Sequence, residues 1–470
     1  MTTSAIAHPT LTERRQAGKS ARETTPRSLL GEWKPDGDGR DPVEILVSQN
    51  KTREPDLIPV RHGRMMVSPF TFYRGAAAIM ANDLSTIPTA GLTVQLCGDA
   101  HLSNFGVFAS PERSLLFDLN DFDETLPGPF EYDVARLAAS FSIGSRDNGF
   151  TAKQGKAAAA ASVAAYREAM AQFAEMGTLD VWYSRVDANE LIKHGIGSIK
   201  NGGRKAGKRA EKGLDKARGK NSLQALSKLT ELVDGEHRII SDPPILVPGR
   251  ELFDAYGIQA DQLSEVLHEQ LRGYRATLPD DRRFLLERFE FVDFARKVVG
   301  VGSVGTRAWI ALLRGRDGGD PLFLQIKEAT KSVLEGHLPK SAYRQPGERV
   351  VQGQRLMQAA SDIFLGWTKG VEANRYYYWR QLRDMKGSAE ISAMDVGALS
   401  YYANACGWTL ARAHARSGDP VAISAYLGKS SQFDDAMTTF ATRYADQNEI
   451  DYNAFAEAIR SGKIPATDGI

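Results

Sequence analysis

Residues 98–104, Gly-Asp-Ala-His-Leu-Ser-Asn, and residues 117–123, Phe-Asp-Leu-Asn-Asp-Phe-Asp, carry the densest chemistry in the chain. The first stretch places a carboxylate, Asp99, five positions before a carboxamide, Asn104, with His101 between them. The second supplies Asp118, Asp121 and Asp123 within six positions. An aspartate presented into a crevice at a strand end orients an acceptor hydroxyl and takes its proton late. Asn104 offers an amide oxygen to Mg²⁺, a hard cation that prefers oxygen ligands. Three carboxylates this close repel one another unless a cation or an arginine neutralises them, and Mg²⁺ is the simplest answer. In extended backbone Asp121 and Asp123 share a face and Asp118 takes the other. His101 orients the loop around Asp99. The chemistry these groups suit is phosphoryl transfer from ATP with Mg²⁺.

A second constellation lies far along the chain. Val298-Val299 precede Gly300-Val301-Gly302-Ser303-Val304-Gly305. A dinucleotide-binding turn of this pattern needs a helix after it. Here Ala308-Trp309-Ile310-Ala311-Leu312-Leu313 read as a strand instead, so the pattern predicts a strand–glycine loop–strand hairpin that covers phosphates. Gly300, Gly302 and Gly305, with Ser303 in the same loop, would do so through backbone N–H groups. Lys327 ends the apolar run 322–326 and would pair with the phosphates. A helix glutamate should hold that lysine, and Glu335 and Glu348 are both candidates. Arg61, Arg64 and Arg74 precede the first motif and could clamp a phosphate or an acidic group. His414 reads as a structural helix-end histidine.

The elements that position these groups follow from periodicity and turn signals. Residues 92–97 form a buried strand; 105–108 and 114–117 form two short strands around a Pro-Glu-Arg turn. Pro127-Gly128-Pro129 breaks the chain before a helix over 132–143, in which Val134, Leu137, Ala138 and Phe141 share a face. Residues 157–176 are Ala-rich and helix-prone. Residues 70–84 and 263–274 are helical. Strands are predicted over 291–299, 308–313, 321–326, 363–367 and 376–382, with a helix over 348–361. Residues 401–416, 433–444 and 453–460 are helical again. Residues 241–248 hold three prolines and read as a linker or edge segment.

Composition narrows the class. The chain has 470 residues, 42% hydrophobic and 25% charged, enough for two or three domains or one large one. A net charge of +1 exerts no global pull on nucleic acid or membrane. Two cysteines, Cys97 and Cys406, give neither a disulfide framework nor a four-ligand zinc site, and a reducing cytoplasm is the natural setting. No secretory signal or membrane span is expected. Residues 1 to about 40 are poor in apolar positions and read as mobile. Residues 193–220 hold ten Lys and Arg against Glu211 and Asp215, with seven glycines. They read as a solvated loop or frayed helix that could meet an acidic partner.

Gly98-Asp99-x-His101-x-x-Asn104 followed by an aspartate motif resembles the catalytic loop and metal segment of aminoglycoside phosphotransferases and choline kinases. The step from Asp99 to Asn104 is similar to that of the protein-kinase catalytic loop. In those phosphotransferases an Asp-Leu-Ala helix start follows the metal aspartate by about a dozen residues. Asp133 of Tyr132-Asp133-Val134-Ala135 lies twelve after Asp121, which favours Asp121 as the metal ligand. Strand length alone favours Asp118; both stay open, with Asp118 or Asp123 assisting. Over nearly its whole length the chain also resembles a bacterial family known as domain of unknown function 2252. The segments that carry this are Arg61-His62-Gly63-Arg64-Met65, Phe72-Tyr73-Arg74-Gly75, Leu96 to His101, Asn120 to Asp123, Ser241-Asp242-Pro243-Pro244 and Tyr444 to Asn448. That family is grouped with kinase-like folds.

The resemblance implies an α+β, protein kinase-like two-lobe fold, but with rearranged, circularly permuted-like lobe order, because the glycine loop and Lys327 come after the catalytic loop. The expected organisation is a mobile N-terminal extension over 1–60 and a large-lobe catalytic segment over 61–190. A basic insertion and linker over 191–245 and a helical segment over 246–288 follow. A small-lobe-like nucleotide-binding sheet over 289–386 precedes C-terminal helices over 387–470 that return to the large lobe. One kinase cleft requires Lys327 Nζ within roughly 15 Å of the Asp121 carboxylate, since both grip one triphosphate. The function expected is ATP- and Mg²⁺-dependent phosphoryl transfer to a hydroxyl of a small molecule or protein. The alternatives are transfer of AMP on the same fold, and a non-catalytic nucleotide-binding module.

Overall fold

The structure is a computed structural model that describes residues 8–35, 40–198, 203–256, 260–298, 300–371 and 374–467. It is a mixed α+β fold with several antiparallel sheets. Among the described residues, no helix is long and apolar enough to cross a membrane.

The largest sheet has six antiparallel strands in the order Gly366–Lys369, Tyr376–Gln381, Pro321–Glu328, Ala308–Arg314, Glu290–Lys297 and Leu246–Pro248. Its central strands are apolar at successive positions because both faces are covered. Leu313, Leu322 and Leu324 pack with Tyr274 of the Ala260–Arg275 helix on one face. Ile310, Leu312 and Phe323 pack with Leu226 and Leu229 of the Ser222–Leu229 helix on the other. The glycine segment lies between the Glu290–Lys297 and Ala308–Arg314 strands, so a strand follows it as expected, and a dinucleotide turn is ruled out.

The other large core joins the helices Phe130–Asp147, Ala152–Phe173, Val396–Ser417 and Gln432–Arg460 to the short strands that flank the acidic motifs. Small residues let these helices approach to backbone contact: a Cβ on Gly407 would stand 2.1 Å from the carbonyl of Ser162. The strand Thr93–Leu96 pairs with Leu126–Pro129, and Phe105–Ala109 pairs with Leu115–Leu119. Both strand pairs pack on this helical body.

Three readings differ from the sequence expectation. Part of the segment read as mobile is a packed helix, Leu11–Thr24, with Gly18 seated on Ala422 and Arg14 bonded to Asp419 at 2.7 Å. It docks through a glycine and charged side chains, so it shows no apolar stripe; residues 1–7 and 36–39 lie outside the described residues. Of the two readings of the basic stretch, a solvated loop or a frayed helix, the described residues form helix, Ala188–Ser198 and Gly203–Arg218, with Leu214 and Ala217 buried rather than solvated; Lys200 lies outside the described residues. Residues 432–460 form one helix rather than two.

Glu131 tests the helical core. It is fully buried; its Oε1 accepts the Ala90 N–H at 2.7 Å, and its Oε2 has no partner. Burial raises its pKa from 4.5 to about 7. The folded state therefore holds this proton more tightly than the unfolded chain, and the group's stabilisation is lost as pH rises from about 4.5 to about 7. Glu131→Gln should melt at a higher temperature than the parent at pH 8 and match it near pH 4.5. Equal melting differences at both pH values would contradict the assignment.

Candidate functional site

The Asp99 loop is built on backbone constraints. Gly98 has φ +83°, and a Cβ there would stand 2.3 Å from the Glu124 carbonyl, so only glycine fits. Asp133, in the first turn of the Phe130–Asp147 helix, accepts the N–H groups of Cys97 and Gly98 at 2.6 and 3.0 Å. His414 Nε2 approaches the same carboxylate at 3.2 Å and its Nδ1 meets the Tyr166 hydroxyl at 2.9 Å, so His414 is structural. Asn104 staples the two acidic motifs together. Its Nδ2 donates to the Asp99 and Asp121 carbonyls at 3.1 and 3.0 Å, and its Oδ1 accepts the Asp121 N–H at 2.7 Å.

Asp99 is held by the buried Arg136, whose Nε and Nη2 donate to Oδ1 at 2.8 and 2.6 Å. Arg136 does not engage Oδ2, which has His101 Nε2 3.8 Å away. Burial raises the Asp99 pKa while Arg136 and then Arg74 pull it down. Burial, then the charges of Arg74 and Arg136, hold His101 well below the ordinary histidine range, so it is neutral.

The second acidic segment meets the large sheet. Antiparallel register sets Lys327 opposite Tyr378 and Gln325 opposite Arg380. Alternation puts all four side chains on one face. Lys327 Nζ lies 2.7 Å from Asp123 Oδ2 and 3.5 Å from Asp121 Oδ2. The Tyr378 hydroxyl donates to Asp123 Oδ1 at 2.7 Å, Arg380 donates to the Asn120 carbonyl at 3.2 Å, and the Ser303 hydroxyl donates to Asp123 Oδ2 at 3.3 Å. Burial would raise the Asp123 pKa, but Lys327 and the Tyr378 hydroxyl hold it at about 2. Asp121 is raised by desolvation among the surrounding protein atoms of the cleft wall and by the neighbouring Asp123 charge, although 45% of its side chain is exposed. Tyr378→Phe should lose a buried bond to a charged group and cost about 1.5–3 kcal/mol in urea unfolding; an unchanged midpoint would contradict the bond.

Asp99, His101, Asn104, Asp121 and Asp123 line one cleft of about 940 Å³ with Gly300, Gly302 and Ser303. A family model described as "Uncharacterized protein conserved in bacteria (DUF2252)" matches residues 53–458. The chain belongs to this family. No curated protein and no solved structure matches it. The DUF2252 match spans every candidate residue named from the sequence, and its description assigns no activity.

Some candidates stand elsewhere. Asp118, expected as a metal ligand, faces away from the cleft: it is fully buried, ion-paired to Arg412, and accepts the Ala359 N–H at 2.8 Å. Neither Glu335 nor Glu348 holds Lys327. Glu335 caps the Val333–Gly336 turn by accepting the Ser332 N–H at 3.1 Å, and the carboxylates on Lys327 are Asp123 and Asp121. Gly305 is turned from the cleft, its carbonyl accepting the Glu54 N–H at 2.7 Å. Lys327 is 3% exposed and sits behind the carboxylates rather than on the cleft surface. Of Arg61, Arg64 and Arg74, only Arg74 lines the cleft. Arg61 is buried on Asn50 and the Gly75 carbonyl, and Arg64 bonds the Gly300 carbonyl at 2.6 Å.

Sequence reasoning missed Arg136, Arg349, Tyr378 and Arg380. Arg349, the neighbour of Glu348 on the Pro346–Met357 helix, turns inward and donates to the carbonyls of Thr125, Asp123 and Thr330 at 2.6, 2.8 and 2.9 Å. Tyr378 and Arg380 carried a signal, because alternating polar residues in the 376–381 strand must share a face.

Among the described residues no group of three or more His, Cys, Asp or Glu is arranged to hold a metal ion by itself. Mg²⁺ is commonly held by one or two carboxylates plus substrate phosphates, and half-exposed Asp121 suits that role. Asp123 has both oxygens engaged and would join only on releasing a partner.

Proposed function

We propose that this chain is an ATP- and Mg²⁺-dependent phosphotransferase on a kinase-like two-lobe fold with rearranged lobe order. One observation carries the reading. Lys327 Nζ stands 2.7 Å from Asp123, across 204 residues of chain, at the cleft that Asp99 and the glycine loop line. The antiparallel sheet with its glycine hairpin and Lys327 would form the nucleotide lobe, and the helical body with Asp99 the acceptor lobe.

In this reading the acceptor hydroxyl lies at Asp99 Oδ2, which Arg136 orients through Oδ1. The acceptor oxygen bonds to the γ-phosphorus, the bond to the ADP oxygen breaks, and the hydroxyl proton passes to Asp99. Arg380 lines the cleft and would meet the departing diphosphate with positive charge, and Lys327, behind the carboxylates, would join it on release from Asp123. Mg²⁺, held by Asp121 and the nucleotide phosphates, would offset the charge developing on them. Gly300 and Gly302 leave backbone N–H groups free of side-chain obstruction above the phosphates.

The test is to incubate the protein with ATP, Mg²⁺ and a small-metabolite pool and follow masses, with Asp99→Ala as control. A metabolite that gains one phosphate group only with the parent protein is the expected result. Gain of an adenylate group would make it a nucleotidyl transferase. Nucleotide binding with no transfer, unchanged by Asp99→Asn, would make it a binding module.

A further inference from the structure

We propose that the Asp99 side of the cleft binds an acceptor through an anionic group, a phosphate or carboxylate, held by Arg74, with Arg53 on the wall of the same cleft. This deepens the phosphotransferase reading and rests on it.

The cleft's acids are already matched. Asp99 has Arg136, Asp123 has Lys327, Glu328 has Arg375 and Arg307, and Glu124 accepts the Val333 N–H. Most buried guanidinium groups around it are matched too: Arg136 and Arg307 by carboxylates, Arg349 by three carbonyls. Arg74 and Arg53 differ. Both line the cleft with a buried, unpartnered Nε, as Arg349 does, but they lack the set of acceptors that Arg349 has. Among the described residues Arg74 has no hydrogen-bond or ion-pair partner, and Arg53 has one hydrogen bond, to the Val304 carbonyl at 2.5 Å. Half-buried cations without a direct ion-pair partner are unfavourable, and a guanidinium is shaped to grip a phosphate or carboxylate in two places. Burial holds both arginines below their ordinary range, Arg53 at about 10. An incoming anion would supply the missing partner.

Position distinguishes the acceptor from the nucleotide. Arg74 ends the Pro69–Gly75 helix, and its charge acts on both Asp99 and His101. His101 Nδ1 is buried and unpartnered in the same region, a further polar group for the bound molecule. Lys327 and Arg380 instead serve the Asp121–Asp123 end, where the nucleotide phosphates are proposed to lie.

The test is a ³¹P NMR titration of the full chain with inorganic phosphate, with and without saturating Mg²⁺ and a non-hydrolysable ATP analogue. Phosphate should bind in both conditions. Arg74→Gln should weaken it tenfold or more, Arg74→Lys less, and Arg53→Gln about threefold, with analogue affinity within threefold of the parent. Because Arg74 has no partner to lose, Arg74→Gln should melt no lower than the parent. Absence of saturable phosphate binding would overturn the proposal. So would displacement of phosphate by the analogue together with an Arg74→Gln loss of analogue affinity, which would give the arginine to the nucleotide. Arg74-dependent phosphate binding with no binding of the analogue would instead overturn the phosphotransferase reading, and with it the assignment of the anion to an acceptor.

Discussion

Under the proposed phosphotransferase reading, Asp99→Asn should lower the rate of phosphoryl transfer by about 10²–10⁴-fold, the range for losing a positioned general base. Asparagine keeps the shape and can still accept from Arg136, so the loop should hold. It cannot take a proton from a hydroxyl at the Oδ2 position. The nucleotide end, with Lys327, Arg380 and the glycine loop, is untouched, so the KM for ATP should stay within about threefold while kcat falls. Steady-state kinetics on the acceptor found in the metabolite screen would measure both. A loss in kcat smaller than about threefold would remove Asp99 from the chemistry. A large rise in KM for ATP with kcat unchanged would move Asp99 to the nucleotide.

Asp118→Ala should act on stability alone. Asp118 and Arg412 are each 1% exposed and ion-paired, and Arg412 also donates to the Met357 carbonyl at 2.6 Å. Removing the carboxylate strands a buried guanidinium and leaves the Leu119 and Ala359 N–H groups without their acceptor. Losing one member of a buried pair costs about 3–5 kcal/mol. Thermal and urea unfolding would read this as a large fall in midpoint. At a temperature where the variant is folded, its affinity for Mg²⁺ and nucleotide should equal the parent's. A variant that folds normally but loses Mg²⁺-dependent nucleotide binding would return Asp118 to the metal site. The contrast with Asp121, half-exposed in the cleft, makes the pair of variants informative.

The site's electrostatics rest on a small ladder of cross-strand partners. Lys327 and Tyr378 are directly opposed on neighbouring strands and both reach Asp123. The lysine is thus fixed by carboxylates of the acidic loop rather than by a helix glutamate. Under the proposed reading the phosphates and the acidic loop compete for the same ammonium group, so nucleotide binding should loosen the Lys327–Asp123 pair and free an Asp123 oxygen.

What the sequence by itself determined was local. Alternation and turn chemistry located the strands that flank Gly98–Asn104 and separated the face of Asp118 from that of Asp121 and Asp123. They also placed a strand after Gly305, which excludes a dinucleotide turn. Such signals depend on neighbours a few positions away, which is why they can be read from one chain. Tertiary structure decided which face meets the cleft. Asp118 turned inward because Arg412, 294 residues later, lies there. Lys327 took Asp123 because the register with the Tyr376–Gln381 strand and the docking of the sheet on the acidic loop brought them together. Arg349 rather than Glu348 turned inward because the bare carbonyls of residues 123, 125 and 330 need donors. The packed Leu11–Thr24 helix escaped notice because it is held by Gly18 and Arg14 against a partner some 400 residues away. In each case the deciding group is remote in sequence, and sequence periodicity carries no record of what a face will meet.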